Sequence, residues 1–283
     1  MQKSMILYKY AGDSGIHILD GLRLKVTPPN ELNDPFELTP RSKNLITRKY
    51  IVEKAKNDPE HFRAMYEEIV RRENYKWPFE VFLQTLKLPR DVYSRFRKLY
   101  ADGLVETDLG SIQEASRSMV ILCLSAMNDS IPMWSHYSNH HRGIVIGLDT
   151  SDSCFQHGSA MSKVIYRAHR VSVNPLDDAN PGAVWAKALE TILTKSRVWE
   201  YEKEYRACYR IRDVISKPLG GNQPHYFIDI WASVIKEVIL GCWISEEYEA
   251  RVRSVLSAKK FSHVRILRAS RHKSKFKIEV VSA

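Results

Sequence analysis

The sequence predicts an α+β fold: a compact split or bent antiparallel sheet with a helical insertion over residues 42–111. Three observations predict it. After residue 118, apolar runs of strand length recur with few helices between them, so the βαβ rhythm of a doubly wound fold is missing. Between 42 and 111 the apolar residues instead return at three- and four-residue steps, the period of a helix. Finally, Gly12-x-x-Gly15 and Gly220-Gly221 match neither a P-loop nor a dinucleotide fingerprint. The whole chain, 1–283, is read as one α+β domain carrying that insertion.

Taken in order, Ile6–Tyr10 reads as a strand, and Ser14–Leu19 as a short helix stopped by Gly21. Leu22–Val26 alternates apolar and basic residues, as a half-buried strand does, and Pro28-Pro29 ends it by withdrawing ladder donors. In the insertion, Ile46, Tyr50, Ile51, Ala55, Phe62, Met65, Tyr66 and Val70 mark apolar helix faces, and Asp58-Pro59-Glu60 is a helix start. Ser118–Ser125 is too short and too β-branched for a helix and reads as a buried strand. Gly143–Leu148 and Lys163–Tyr166 follow as strands. Pro181–Lys195 is expected as a helix with Val184, Ala188, Leu189 and Ile192 on one face. Strands are then expected at Tyr205–Ile211 and Val234–Leu240, a helix capped by Ser245, and closing strands at Val264–Leu267 and Phe276–Val280.

Composition narrows the class. An apolar fraction of 44% and a charged fraction of 27% describe an ordinary globular chain. No apolar run approaches bilayer length, and the N-terminus lacks a signal-peptide pattern, so a cytoplasmic protein without a membrane partner is expected. Cys123, Cys154, Cys208 and Cys242 stand too far apart for paired zinc ligands and read as reduced thiols. The net charge of +10 is concentrated: Arg251–Ile278 holds ten Lys/Arg and no Asp or Glu. That run reads either as a surface facing a polyanion or as a solvated basic face.

Three strings carry chemistry. Met133–Gly143 packs one Trp, one Tyr, three His and one Arg ahead of a strand, a density that suits a site wall. Ser138, Asn139 and Gly143 favour a turn there, which denies His136 and His140 a common helix face. In Trp199–Arg206, Glu202 and Glu204 point to one face if the segment is already a strand. Two carboxylates on one face suit polarising a ribose or activating a nucleophile, unless they are merely paired with surface cations. Asn33-Asp34-Pro35-Phe36-Glu37 reads as a structured loop anchored by Phe36, with Asn33 and Asp34 available to a ligand.

Together the LYKY (Leu7–Tyr10), NDPFE (Asn33–Glu37), MWSHY-to-HRGIVIGLD (Met133–Asp149) and WEYEKEYR (Trp199–Arg206) blocks resemble a bacterial family known as domain of unknown function twenty-nine seventy-one. The resemblance spans Leu7 to about Leu240. The order of elements is also similar to the ADP-ribosyltransferase superfamily, a split-sheet fold that binds NAD without a Rossmann motif. That likeness implies a first-strand position at Lys9, where His or Arg is usual, and a middle position at Tyr137 or Ser125. The last position falls on Glu204, with Glu202 completing an ExE spelling. It further implies that NAD is the substrate and that ADP-ribose passes to a nucleic acid or protein acceptor. Glu204 would stabilise the oxocarbenium-like transition state and Glu202 would orient or deprotonate the acceptor. Tyr137 or Trp134 would stack on nicotinamide, and Lys9 and Arg142 would hold the pyrophosphate. Tyr8, Tyr10, Asn33 and His136 complete the expected NAD-binding set, and no resident metal is expected. By the same analogy the chain is an intracellular toxin or phage-defence effector with an antitoxin or defence-system partner. Two other classes stay open. One is a metal-dependent nuclease or phosphoesterase using His136, His140, Asp149 and Glu204; the other is a non-catalytic module whose Trp and Tyr residues stack bases.

Overall fold

The computed structural model describes residues 5–42, 59–73, 76, 78–85, 117–173, 181–218 and 224–283. In chain order the strands are β1 (Ile6–Ala11), β2 (Arg23–Val26), β3 (Arg41–Ser42), β4 (Met119–Ser125), β5 (Ile144–Asp149), β6 (Ser162–Lys163), β7 (Ile165–Arg167) and β8 (Ser172–Val173). They continue as β9 (Thr194–Ser196), β10 (Glu204–Arg210), β11 (Ile215–Pro218), β12 (Pro224–Asp229), β13 (Ile235–Leu240), β14 (Arg265–Arg271) and β15 (Ile278–Ser282). The helices are α1 (Gly15–Gly21), α2 (Pro59–Glu73), α3 (Phe79–Thr85), α4 (Ile131–Tyr137), α5 (Pro181–Ile192) and α6 (Glu246–Leu256).

The chain divides into two units: residues 1–38, 116–170 and 192–283 in the first, 39–115 and 171–191 in the second. In the second unit β3 pairs in parallel with β8. Helix α2 begins at Pro59, a residue suited to the first helical position because its missing N–H would be unpaired there anyway. Phe62 and Phe82 are buried, and the rings of Phe79 and Phe82 stack at 6.1 Å. The expected positions Ile46, Tyr50, Ile51, Ala55 and Asp58 lie outside the described residues, as do the side chains of Met65 and Val184.

The first unit is a mixed α+β structure around an open eight-stranded sheet ordered β15-β14-β13-β5-β1-β4-β10-β6. Its ladders are antiparallel except for the parallel β13–β14 pair. One face packs Leu7, Leu122, Leu124, Ile146, Val238 and Leu240 against Ile16 and Leu19 of α1 and Val252 and Leu256 of α6. The other packs Tyr10, Val145 and Ile239 against Met133 and Trp134 of α4. Buried on both faces, β5 therefore reads as a continuous apolar run rather than an alternating one. Ser245 caps α6 as expected, its hydroxyl accepting from the Tyr248 N–H at 3.2 Å.

The sheet parts at one place. β1 and β5 share six register positions, β4 and β10 seven, but β1 meets β4 only at Tyr8 and Ser125. Farther along, the same edge of β4 is taken by Thr27, just past β2, which exchanges two 2.8 Å backbone bonds with Ile121. Between these contacts the Cys123 carbonyl faces no strand partner; the Lys9 ammonium donates to it at 3.2 Å.

Several local expectations are corrected. Lys163–Tyr166 is not one strand: it breaks at the buried Val164, whose N–H bonds the Glu204 carbonyl at 2.9 Å. The helix expected to reach Lys195 stops at Ile192, and Thr194–Ser196 becomes β9, pairing in parallel with β7. Here the β-branched Thr and the available strand edge outweigh helical periodicity. Strands β11 and β12, which extend β2 into a separate three-stranded sheet, were hidden in a sequence punctuated by Pro218, Gly220, Gly221 and Pro224. Phe36, expected as the anchor of its loop, is 63% exposed, while Asp34 is buried and accepts from the Phe36 N–H at 2.9 Å.

Candidate functional site

A cavity of about 240 Å³ opens where β1 and β4 part. Lys9 comes from β1, Cys123 and Ser125 from β4, Asn33 from the loop after β2, Tyr137 from the end of α4, and Glu202 and Glu204 from the start of β10. β4 and β10 run antiparallel, with Glu204 opposite Ser125 and Arg206 opposite Cys123. Strand alternation then puts these four side chains on one face and Leu122, Leu124 and Ala207 on the apolar other.

Glu202 reaches the same place by a different route. Arg197–Glu202 is a 3-10 turn, and Lys203 sits in the left-handed region at φ 45°, reversing the chain before β10 begins. The two glutamates therefore converge, but not through strand periodicity as the sequence suggests. Ser125 fixes the turn from below: its hydroxyl donates to the Glu202 carbonyl at 2.6 Å and accepts from the Met127 N–H at 3.0 Å.

Behind the cavity lies a buried ionic cluster. The Lys195 ammonium lies 2.6 Å from Glu202, 3.1 Å from Glu37 and 3.3 Å from Glu204. Arg206 grips both Glu204 oxygens, Nε to Oε1 at 2.8 Å and NH2 to Oε2 at 2.9 Å. It also donates to Glu37 at 2.9 Å and, through NH1, to the Ile192 carbonyl. These five side chains are at most 7% exposed. Charges so far from water persist only when paired, and each of these is, although Glu37 Oε2 itself has no hydrogen-bond partner.

The two carboxyls nearest the cavity differ in proton affinity. Burial opposes charging Glu204, but Arg206 and then Lys195 outweigh it and bring the group from its ordinary 4.5 down to about 2. For Glu202 burial wins over the Lys195 and Tyr137 contacts, and its pKa is raised. Tyr137 donates to Glu202 Oε1 at 2.7 Å and accepts from the Asn33 amide at 2.6 Å. Burial, followed by the Glu202 hydrogen bond, holds that phenol in its neutral form. Lys9 is lowered by burial, with Glu204 partly opposing the shift. The Cys123 thiol is pushed up by burial and is no thiolate nucleophile.

This difference has a consequence in acid. A carboxyl depressed on folding stabilises fully above its unfolded value, and the gain is lost as pH falls towards the folded value. For Glu204 the window runs from 4.5 down to about 2. Glu202, being raised, works in the opposite sense and offsets part of the gain as pH rises. Acid unfolding followed by circular dichroism is expected to be steepest in that window, and Glu204→Gln to flatten it. An unchanged acid limb in the variant would remove Glu204 as its source.

Of the residues expected to hold NAD, Lys9, Tyr8, Tyr10 and Asn33 line the cavity, as do the expected catalytic residues Tyr137, Glu202 and Glu204. Trp134 does not. It is fully buried, donates its indole N–H to the Asn128 carbonyl at 2.8 Å and packs on Tyr10, so it cannot stack on a ligand. Arg142 is exposed and lies over Trp243 at 6.0 Å, away from the cavity. His136 is exposed and packs beside Tyr137 and Tyr201 without lining the cavity. The turn expected from Ser138, Asn139 and Gly143 is present: the helix ends at Tyr137, and Asn139, His140 and His141 are left-handed before β5, so His136 and His140 share no helix face. His136, His140, Asp149 and Glu204 do not gather, and among the described residues no three His, Cys, Asp or Glu side chains are grouped to hold a metal ion.

Sequence reasoning missed Lys195, Glu37 and Arg206 as parts of the site. Glu37 and Arg206 close the NDPFE and WEYEKEYR blocks and were within reach. Lys195, at the end of an apparent helix, gave no signal.

An open split sheet with an acid-lined cavity at the parting defines the class of structure. Residues 133–207 match the family described as "Protein of unknown function (DUF2971)". The match begins at Met133 in α4 and ends at Ala207 in β10, so it takes in Tyr137, Lys195, Glu202, Glu204 and Arg206. No curated protein and no solved structure matches the chain. Among the described residues no helix is long and apolar enough to cross a membrane.

Proposed function

We propose that the chain is an ADP-ribosyltransferase-like enzyme that binds NAD at the parting of β1 and β4 and cleaves its nicotinamide–ribose bond. The observation that carries this reading is Glu202: a buried carboxyl of raised proton affinity, hydrogen-bonded to a neutral tyrosine, on the wall of a cavity in a split sheet. A cavity of about 240 Å³ suits one ring and its ribose rather than a whole dinucleotide, so the adenosine half would lie outside. In the reaction the C1′–N bond breaks and neutral nicotinamide leaves with the electron pair. Positive charge then grows on the ribose, and the field of the Glu202 carboxylate favours it. A lone pair of the acceptor closes on C1′, and the acceptor's proton passes to Glu202, whose raised affinity suits that task. Tyr137 holds the carboxyl in place and offers its ring to nicotinamide, while Lys9 meets the phosphate next to the reacting ribose.

In this reading Glu204 is a positioning residue, because the two-pronged grip of Arg206 holds its proton affinity well below the ordinary carboxylate range, whereas Glu202, bonded to Tyr137 and Lys195, keeps a raised one. An enzyme that consumes NAD harms the cell that holds it, which accords with the toxin or defence role and an inhibitory partner. The test is direct. Purified protein incubated with NAD is expected to release nicotinamide, followed by chromatography, with label from adenine-labelled NAD passing to an added nucleic acid or protein acceptor. No nicotinamide release with any acceptor rejects the reading.

A further inference from the structure

A second cavity, of about 640 Å³, lies at the hairpin joining β14 to β15, and nothing in the proposed chemistry uses it. Trp243 and Phe276 line it, 51% and 105% exposed, and so do Arg271, Lys273, Lys275 and Lys277. These four cations have no carboxylate within salt-bridge distance among the described residues. Arg253 and Arg268 are paired with Glu249, and Arg265 with Glu237, so the charge left unmatched in the basic segment includes this hairpin. The turn has a defined shape: His272 Nδ1 accepts from the N–H groups of Ser274 and Lys275 at 3.0 and 3.1 Å.

His141 also lines this cavity. It is 9% exposed, and its Nδ1 has no hydrogen-bond partner. Buried polar nitrogens are rarely left so, and each one asks for an explanation. Burial, helped by His140, keeps the ring neutral, so it can exchange hydrogen bonds with an uncharged polar group. The ring stacks on Trp134 and meets Trp243 edge-on at 5.2 Å. Its backbone is held in the left-handed region at φ 66°. The Trp243 N–H bonds the His141 carbonyl at 3.1 Å, an approach that needs Gly241, since a Cβ there would come 2.2 Å from that same oxygen.

We propose that this face binds single-stranded nucleic acid, with the backbone phosphates on Arg271, Lys273, Lys275 and Lys277 and a base against Trp243 reaching His141. Exposed rings beside unpaired cations are the arrangement that stacks bases along a charged track. The strand must be single, because in a duplex the neighbouring base pairs already cover the faces on which the rings would stack. A lipid surface fits less well: a flat bilayer would not fill a concave cavity lined by the neutral His141 beside four cations.

The experiment is fluorescence anisotropy of a labelled random-sequence single-stranded 12-mer against the full chain across a salt series. Four neutralised phosphates give an expected log–log slope of about −3. Lys273, Lys275 and Lys277 changed together to Ala are expected to flatten that slope by about 2. Trp243→Ala is expected to weaken binding roughly tenfold at an unchanged slope. Phe276→Ser, at a position that packs on nothing, repeats the stacking test without a folding risk. Glu202→Gln is expected to bind like the parent, which separates this proposal from the catalytic one. Equal affinity for a duplex 12-mer or for heparin, binding to phosphatidylserine vesicles in place of the oligonucleotide, or no binding at all would each overturn it.

Discussion

Arg206→Met is expected to destabilise the protein by about 3–5 kcal/mol, as breaking a buried ion pair from one side does. The guanidinium is the shared partner of Glu204, Glu37 and the Ile192 carbonyl, and its side chain is 1% exposed. Without it Lys195 alone faces three carboxylates, and a buried carbonyl loses its donor. Folded domains are stable by only about 5–15 kcal/mol, so the loss is a large share of the whole. Arg206→Lys restores charge without the two-pronged grip and is expected to recover part of it. Adding Glu204→Gln to Arg206→Met removes one stranded charge and is likewise expected to recover stability. Urea midpoints decide this. A shift of less than about 1 kcal/mol for Arg206→Met would mean that water relieves the cluster and that Arg206 does not hold it together.

The second large effect is on chemistry. Glu202→Gln keeps the shape of the side chain and a carbonyl oxygen for Tyr137, but it removes the negative charge and the proton acceptor. Turnover of NAD is expected to fall by roughly a hundredfold or more. Glu204→Gln is expected to act chiefly on stability, since Arg206 and Lys195 already neutralise that carboxylate. Tyr137→Phe tests the pair from the other side. It leaves the ring and frees Glu202 from its 2.7 Å hydrogen bond, and it is expected to shift the pH dependence of turnover as well as its rate. If Glu204→Gln proved the more damaging to turnover at full folding, the roles assigned to the two carboxyls would have to be exchanged.

How far the sequence reached is best seen in particular elements. Met119–Ser125 and Ile144–Asp149 were legible because strands buried on both faces are short apolar runs, and little else produces that pattern. Glu202 and Glu204 were legible as a pair, because two acids beside four aromatic and basic neighbours are improbable on an ordinary surface. Trp134 was misread for the same reason: a Trp in a polar string looks like a ligand wall, yet its indole N–H simply finds a backbone carbonyl in the core. The 3-10 turn that brings Glu202 into the site depends on a left-handed Lys203, a position more often given to glycine, and it left no mark in the sequence.

By itself the sequence determined the local features: the apolar strands, the capped last helix, the polar blocks and the basic segment. These follow from composition and spacing within a few residues. Which groups meet was decided only by the tertiary structure. Lys195 touches Glu37 across 158 positions of chain, and Arg206 touches it across 169. Where β1 parts from β4, Thr27 takes the same edge of β4 farther along, at Ile121. Such contacts depend on strand order and register. Those are set by how all the apolar faces are buried together, and no short window of sequence contains that information.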